Sequence, residues 1–63
     1  MPTIDEAKAR RDAALEALRH ELRLLKLCEP GSPEWERQQI AVENAGANYR
    51  KAVNEYTEML TQS

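Results

Sequence analysis

Cys28-Glu29-Pro30-Gly31-Ser32-Pro33-Glu34-Trp35 is the one stretch where glycine and proline cluster in this chain of 63 residues. Pro30 has no N–H to donate and its ring clashes with the preceding turn, so a helix arriving from the N-terminal side stops there. Gly31 adopts the left-handed conformation that closes a helix end at no steric cost. Ser32 is a good N-cap, Pro33 suits the first helical position, and Glu34 and Glu36 favour the positive end of a helix dipole. One helix therefore ends and another begins within a few residues. A connection as short as Glu29-Pro30-Gly31-Ser32 joins antiparallel neighbours.

Working outward, Thr3 and Glu6 form a Thr-x-x-Glu capping box, and Asp5 with Glu6 suits the positive helix end. The spacing predicts one helix over 4–28, a turn at 29–32 and a second helix over 33–60, with Thr61-Gln62-Ser63 fraying. Each helix spans roughly 40 Å at its regular rise. The expected fold is all-α, a single antiparallel two-helix hairpin covering 1–63.

Composition agrees. Strong helix formers dominate, Phe is absent and β-branched residues are few. Charged residues make up 32% of the chain but the net charge is only -2, which gives no overall pull toward nucleic acid or an anionic membrane. Met1-Pro2-Thr3-Ile4-Asp5-Glu6 is polar and acidic where a signal peptide needs basic and then apolar residues. No apolar run approaches the roughly 20 residues of a membrane span. A free thiol suits a reducing compartment, so the expected location is the cytoplasm.

So small a domain buries a modest fraction of its surface and needs a staple or a partner. One cysteine, Cys28, excludes an internal disulfide, and Cys28 with His20 cannot supply the four ligands of a structural zinc site. No metal or other cofactor is expected. Self-association is the remaining route.

The apolar pattern points the same way. Trp35, Gln38, Val42, Ala45, Tyr49, Ala52, Tyr56 and Met59 alternate three and four apart, the seam of a coiled-coil-like packing. Gly46, Val53 and Leu60 widen that stripe. Gly46 costs the helix about 1 kcal/mol against alanine, which suggests a packing reason. The first helix carries Ile4, Ala7, Ala14, Leu15, Leu18, Leu22 and Leu25. Its last third, with Leu22, Leu24, Leu25, Leu27 and Cys28, is apolar on more sides than one partner helix can cover. A second hairpin related by a twofold axis would cover the surplus, giving a four-helix bundle. Leu18, Leu22, Leu25, Val42, Ala45, Tyr49, Ala52 and Tyr56 are the expected core and dimer residues.

Chemistry is poorly represented. His20 has no second nucleophile or ligand at a useful spacing and reads as a solvated side chain. Cys28 sits at a helix C-terminus, where a thiolate is disfavoured, and reads as a small buried hydrophobe. The carboxylates suggest solvated faces with pairs such as Glu6 with Arg10. No phosphate loop or nucleophile elbow is present, and an enzyme is not expected. Arg19, Arg23 and Lys26 form a basic row, with Lys8, Arg10 and Arg11 nearer the start. Asp5, Glu6, Asp12, Glu16, Glu21 and Glu29 offset them charge for charge, so the row reads first as a mixed, solvated face.

Trp35, beside the turn, has two readings: packing onto Leu24, Leu25 or Leu27, or serving as a binding anchor of the kind enriched in hot spots. Ile40 lies off the main stripe, facing either a dimer mate or another partner.

The turn Pro30-Gly31-Ser32-Pro33-Glu34-Trp35 and the heptad after it resemble the very small phage-encoded proteins that disable host regulators, quorum-sensing anti-activators among them. In length and hairpin shape the chain is also similar to the plasmid copy-control protein that binds paired RNA loops as a dimer of hairpins. Both resemblances span the chain at the level of size and shape and transfer no functional residue. The first implies a homodimeric inhibitor or adaptor that blocks another protein, a transcription regulator being the first class to consider. Trp35 and Ile40, flanked by Arg19, Arg23 and Lys26, are the expected contacts. The alternatives are RNA or DNA binding through the basic row, or a structural or chaperone-like subunit of a larger assembly.

Overall fold

A computed structural model describes Thr3 to Gln62; Met1, Pro2 and Ser63 lie outside the described residues. Two helices make up the fold, α1 (Ile4–Leu27) and α2 (Pro33–Gln62). They pack against each other along their length as an antiparallel hairpin measuring 47 × 15 × 13 Å.

The ends are fixed locally. The Glu6 N–H donates to Thr3 Oγ1 at 3.1 Å, capping α1. Helix α1 stops at Leu27, with Cys28 as an extended C-cap whose N–H donates to the Leu25 carbonyl at 3.1 Å. Gly31 is left-handed, with φ 85, but it belongs to the turn rather than to the end of α1. The Ser32 N–H donates to the Glu29 carbonyl at 3.1 Å across Pro30 and Gly31. Proline followed by a positive-φ glycine is the signature of a type II turn. Ser32 Oγ then accepts from the Trp35 N–H at 3.1 Å, capping α2. Thr61 and Gln62 continue α2 rather than fraying, and the Thr61 hydroxyl donates to the Glu58 carbonyl at 2.9 Å.

The seam of α2 is the one the heptad specifies: Trp35, Gln38, Val42, Ala45, Tyr49, Ala52, Tyr56 and Met59 are all at least half-buried. The seam of α1 differs from the aliphatic stripe. It runs Ile4, Ala7, Arg11, Ala14, Leu18, Glu21, Leu25 and Cys28, so Arg11 and Glu21 occupy interior positions. Leu22 is displaced from it and is 40% exposed. The reason is periodicity: alternating steps of three and four from Ile4 land on Glu21, and its neighbour Leu22 lies about 100° further round the helix.

Only Ala7 and Ala52 are buried among the described residues, and no large side chain is fully enclosed. Leu22, Leu24, Leu27, Ile40 and Leu60 are all exposed. Two helices offer each other one stripe apiece, so most seam residues keep one side in water.

Candidate interaction surfaces

Two polar seam residues are tied across the hairpin. Gln38 Nε2 donates to the Glu21 carbonyl at 2.8 Å and to Glu21 Oε2 at 2.6 Å. These bonds satisfy groups that would be costly to leave unpaired between helices. The Arg11 guanidinium lies 4.6 Å from the centre of the Tyr56 ring and also donates to Asp12 Oδ1 from Nε (3.3 Å) and NH2 (3.1 Å). Its stem fills seam space while its charge sits on an aromatic face. Hydrophobicity alone conceals both residues, but the three-four spacing counted from Ile4 would have found them.

Arg10 corrects a sequence expectation. Its NH1 reaches Glu55 Oε1 at 2.9 Å on the other helix instead of pairing with Glu6. The antiparallel packing brings Glu55 within reach on the flank that Arg10 faces. Cys28 is half-buried rather than buried, and its thiol donates to the Leu24 carbonyl at 3.4 Å. His20 is exposed.

The expected contact residues fall on different surfaces. Trp35 is half-buried in the seam beside the turn. Ile40 is 58% exposed on the outer side of α2, away from α1. Leu24 and Leu27 are exposed at the end of α1, Leu27 the more so at 82%. Arg19, Arg23 and Lys26 do converge: with Leu22 they line a shallow depression of about 290 Å³. Arg19 is tempered there by Glu16, whose Oε1 accepts from its NH1 at 3.1 Å. A larger open depression of about 510 Å³ runs along α2 between Ala47, Arg50, Lys51, Asn54, Glu55 and Glu58. Four of its six lining residues carry long side chains of opposite charges, and it lies open on the surface rather than enclosing a ligand cavity.

Among the described residues no three His, Cys, Asp or Glu side chains cluster as metal ligands. No described helix is long and apolar enough to cross a membrane. No protein-family model, curated protein or solved structure matches the chain.

Proposed function

We propose that this chain is a non-enzymatic protein-binding module: two hairpins pair into a four-helix bundle, and the pair acts as an inhibitor or adaptor that occupies a surface of another protein. The observation that carries this reading is the thin core: among the described residues only two alanines are buried, the seam side chains are half-buried and five large aliphatic side chains are exposed. An exposed leucine alone needs no explanation, but a hairpin with this balance has little to hold it together. Pairing supplies the missing burial. Leu27 and Ile40 then remain as apolar contacts for a different protein, with Trp35 close to the turn. A transcription regulator is the first target class, by the resemblance to small phage-encoded inhibitors.

Two measurements test the parts separately. Sedimentation at micromolar concentration should give the mass of two chains, and a folded monomer overturns the pairing. Immobilised chain should capture a specific protein from bacterial lysate. Capture should fall for Trp35→Ala, Leu27→Ala or Ile40→Ala variants that keep their helical circular dichroism. Capture unchanged by all three removes this surface from the reading.

The depression lined by Arg19, Leu22, Arg23 and Lys26 favours a second reading, binding of RNA or DNA. Phosphate contacts release counterions, so that reading requires a mobility shift at low salt that weakens steeply as salt rises. Absence of any shift at low salt removes it.

A further inference from the structure

The hairpin has two flanks, and one ion pair between the helices distinguishes them. Arg10 and Glu55, joined by their ion pair, each immediately precede a seam residue, Arg11 and Tyr56. Residues just before the seam therefore share one flank. Those just after Ala14, Glu21, Ala45 and Ala52 share the other: Leu15, Leu22, Gly46 and Val53. A Cβ built on Gly46 would meet nothing within 4 Å. The hairpin thus carries a helix-weakening glycine for which its own packing provides no reason.

One row further round lie Asp5, Asp12, Arg19 and Lys26 on α1, and Glu36, Glu43 and Arg50 on α2, each seven residues from the next and all exposed. Each row changes sign once, midway between Asp12 and Arg19 and midway between Glu43 and Arg50. Two cross-helix contacts, Gln38 to Glu21 and Arg10 to Glu55, show that these midpoints lie at one level of the hairpin. The flank therefore carries four alternating quadrants: acidic then basic toward the turn on α1, basic then acidic toward the turn on α2. Such a pattern attracts and repels a uniformly charged partner in nearly equal measure and matches its own image after a twofold rotation. Gln39 and Lys8 are the polar members of the inner row, and the Lys8 cation offsets one of the two carboxylates of its quadrant, leaving it net acidic by one charge.

Area agrees with a second copy. The chain exposes 4905 Å². A compact 7.2 kDa monomer exposes about 4,100 Å². The surplus, roughly 800 Å², is what each partner gives up in a standard interface.

We propose that a second copy of this chain docks on the Leu15–Leu22–Gly46–Val53 flank, about a twofold axis at the level of Leu15 and Gly46, held in register by the quadrants of charge. This rests on the pairing proposed above and adds the face, the level and the charge register. Asp12 and Arg19 now hold Arg11 and Glu16 on their own helix, at 3.1 Å each. Exposed pairs of that kind are weak and exchange readily. Two axes satisfy the charges. With the turns at opposite ends Arg19 faces Asp12 of the copy, and with the turns together it faces Glu43 of the copy.

The test uses the full chain at low salt, with the dissociation constant of the dimer read by sedimentation. Arg19→Glu should weaken the dimer roughly tenfold, since it turns two symmetry-related attractions into repulsions. Adding Asp12→Arg or Glu43→Arg should restore it, and whichever restores identifies the axis. In a Cys28→Ser background, Gly46→Cys should oxidise to a disulfide-linked dimer if the turns are opposed. Gly46→Cys mixed with Leu15→Cys should do so if they lie together, because either pair must fall within about 7 Å at the Cα atoms. Dimers that neither weaken with Arg19→Glu nor cross-link at these positions, but do cross-link through Ala17→Cys on the other flank, overturn this face and leave pairing intact. A folded monomer at all concentrations overturns both.

Discussion

The two flanks of the hairpin are built from the same helices and differ in what crosses them. On one, Arg10 and Glu55 close the gap between α1 and α2, small or polar Ala17 and Asn48 line it, and exposed Leu24 and Leu27 stand on it at the end beside the turn. On the other, Leu15, Leu22 and Val53 share the flank with a glycine that has open space above it, and none of the ion pairs among the described residues crosses it. The first flank is bridged between the helices by its own chain, while the second carries apolar surface and a charge pattern whose pairs, Asp12 with Arg11 and Arg19 with Glu16, stay on one helix. An interhelical ion pair settles nothing about stability, since exposed pairs contribute little. It does mark the side on which the two helices are bridged.

The sharpest break in this contrast comes from placing a charge on each flank in turn. Val53→Glu should abolish dimerisation and cost the assembly more than about 2 kcal/mol, because a carboxylate would be desolvated without a partner. Ala17→Glu, on the bridged flank, should stay within about 0.5 kcal/mol, as surface changes usually do. Urea unfolding at matched concentration, with sedimentation alongside, compares the two; equal effects would erase the distinction.

Gly46→Leu sharpens the point through its sign. On an open helix surface, replacing glycine improves stability by about 1 kcal/mol. Against a closely packed second copy it should lower stability by about 1–3 kcal/mol through overpacking. Lower stability is expected, and a raised unfolding midpoint would show that the face is bare. The smallest effect belongs to the Arg10–Glu55 pair, 58% and 36% exposed. A double-mutant cycle with Arg10→Ala and Glu55→Ala should give a coupling of about 0.2–1 kcal/mol that fades with added salt.

How much of this was legible beforehand differs between the helices. In α2 the aromatic and aliphatic residues occupy the seam positions themselves, so reading hydrophobicity and reading spacing lead to the same residues. In α1 they diverge. Leu22 looks like the interior residue and Glu21 does not, yet Glu21 has the right phase and meets Gln38. Burial on a helix is decided by angle, and a strong hydrophobe beside the seam misleads any reading by residue type. The candidate contacts show the same limit. Arg19, Arg23 and Lys26 share a depression because i, i+4, i+7 places them on one face. Trp35 and Ile40, grouped by character and neighbourhood in the chain, point to different sides.

The sequence by itself determined that there are two helices, where each begins, and that they fold back on one another. Caps, prolines and the Pro30-Gly31 turn act over a few residues and need no tertiary partner. Only the tertiary structure decided which residues of α2 meet Arg11 and Glu21, that Arg10 reaches across to Glu55 rather than along its own helix, and that both charge rows reverse at one level. Those outcomes depend on the register between the helices, which no local segment encodes.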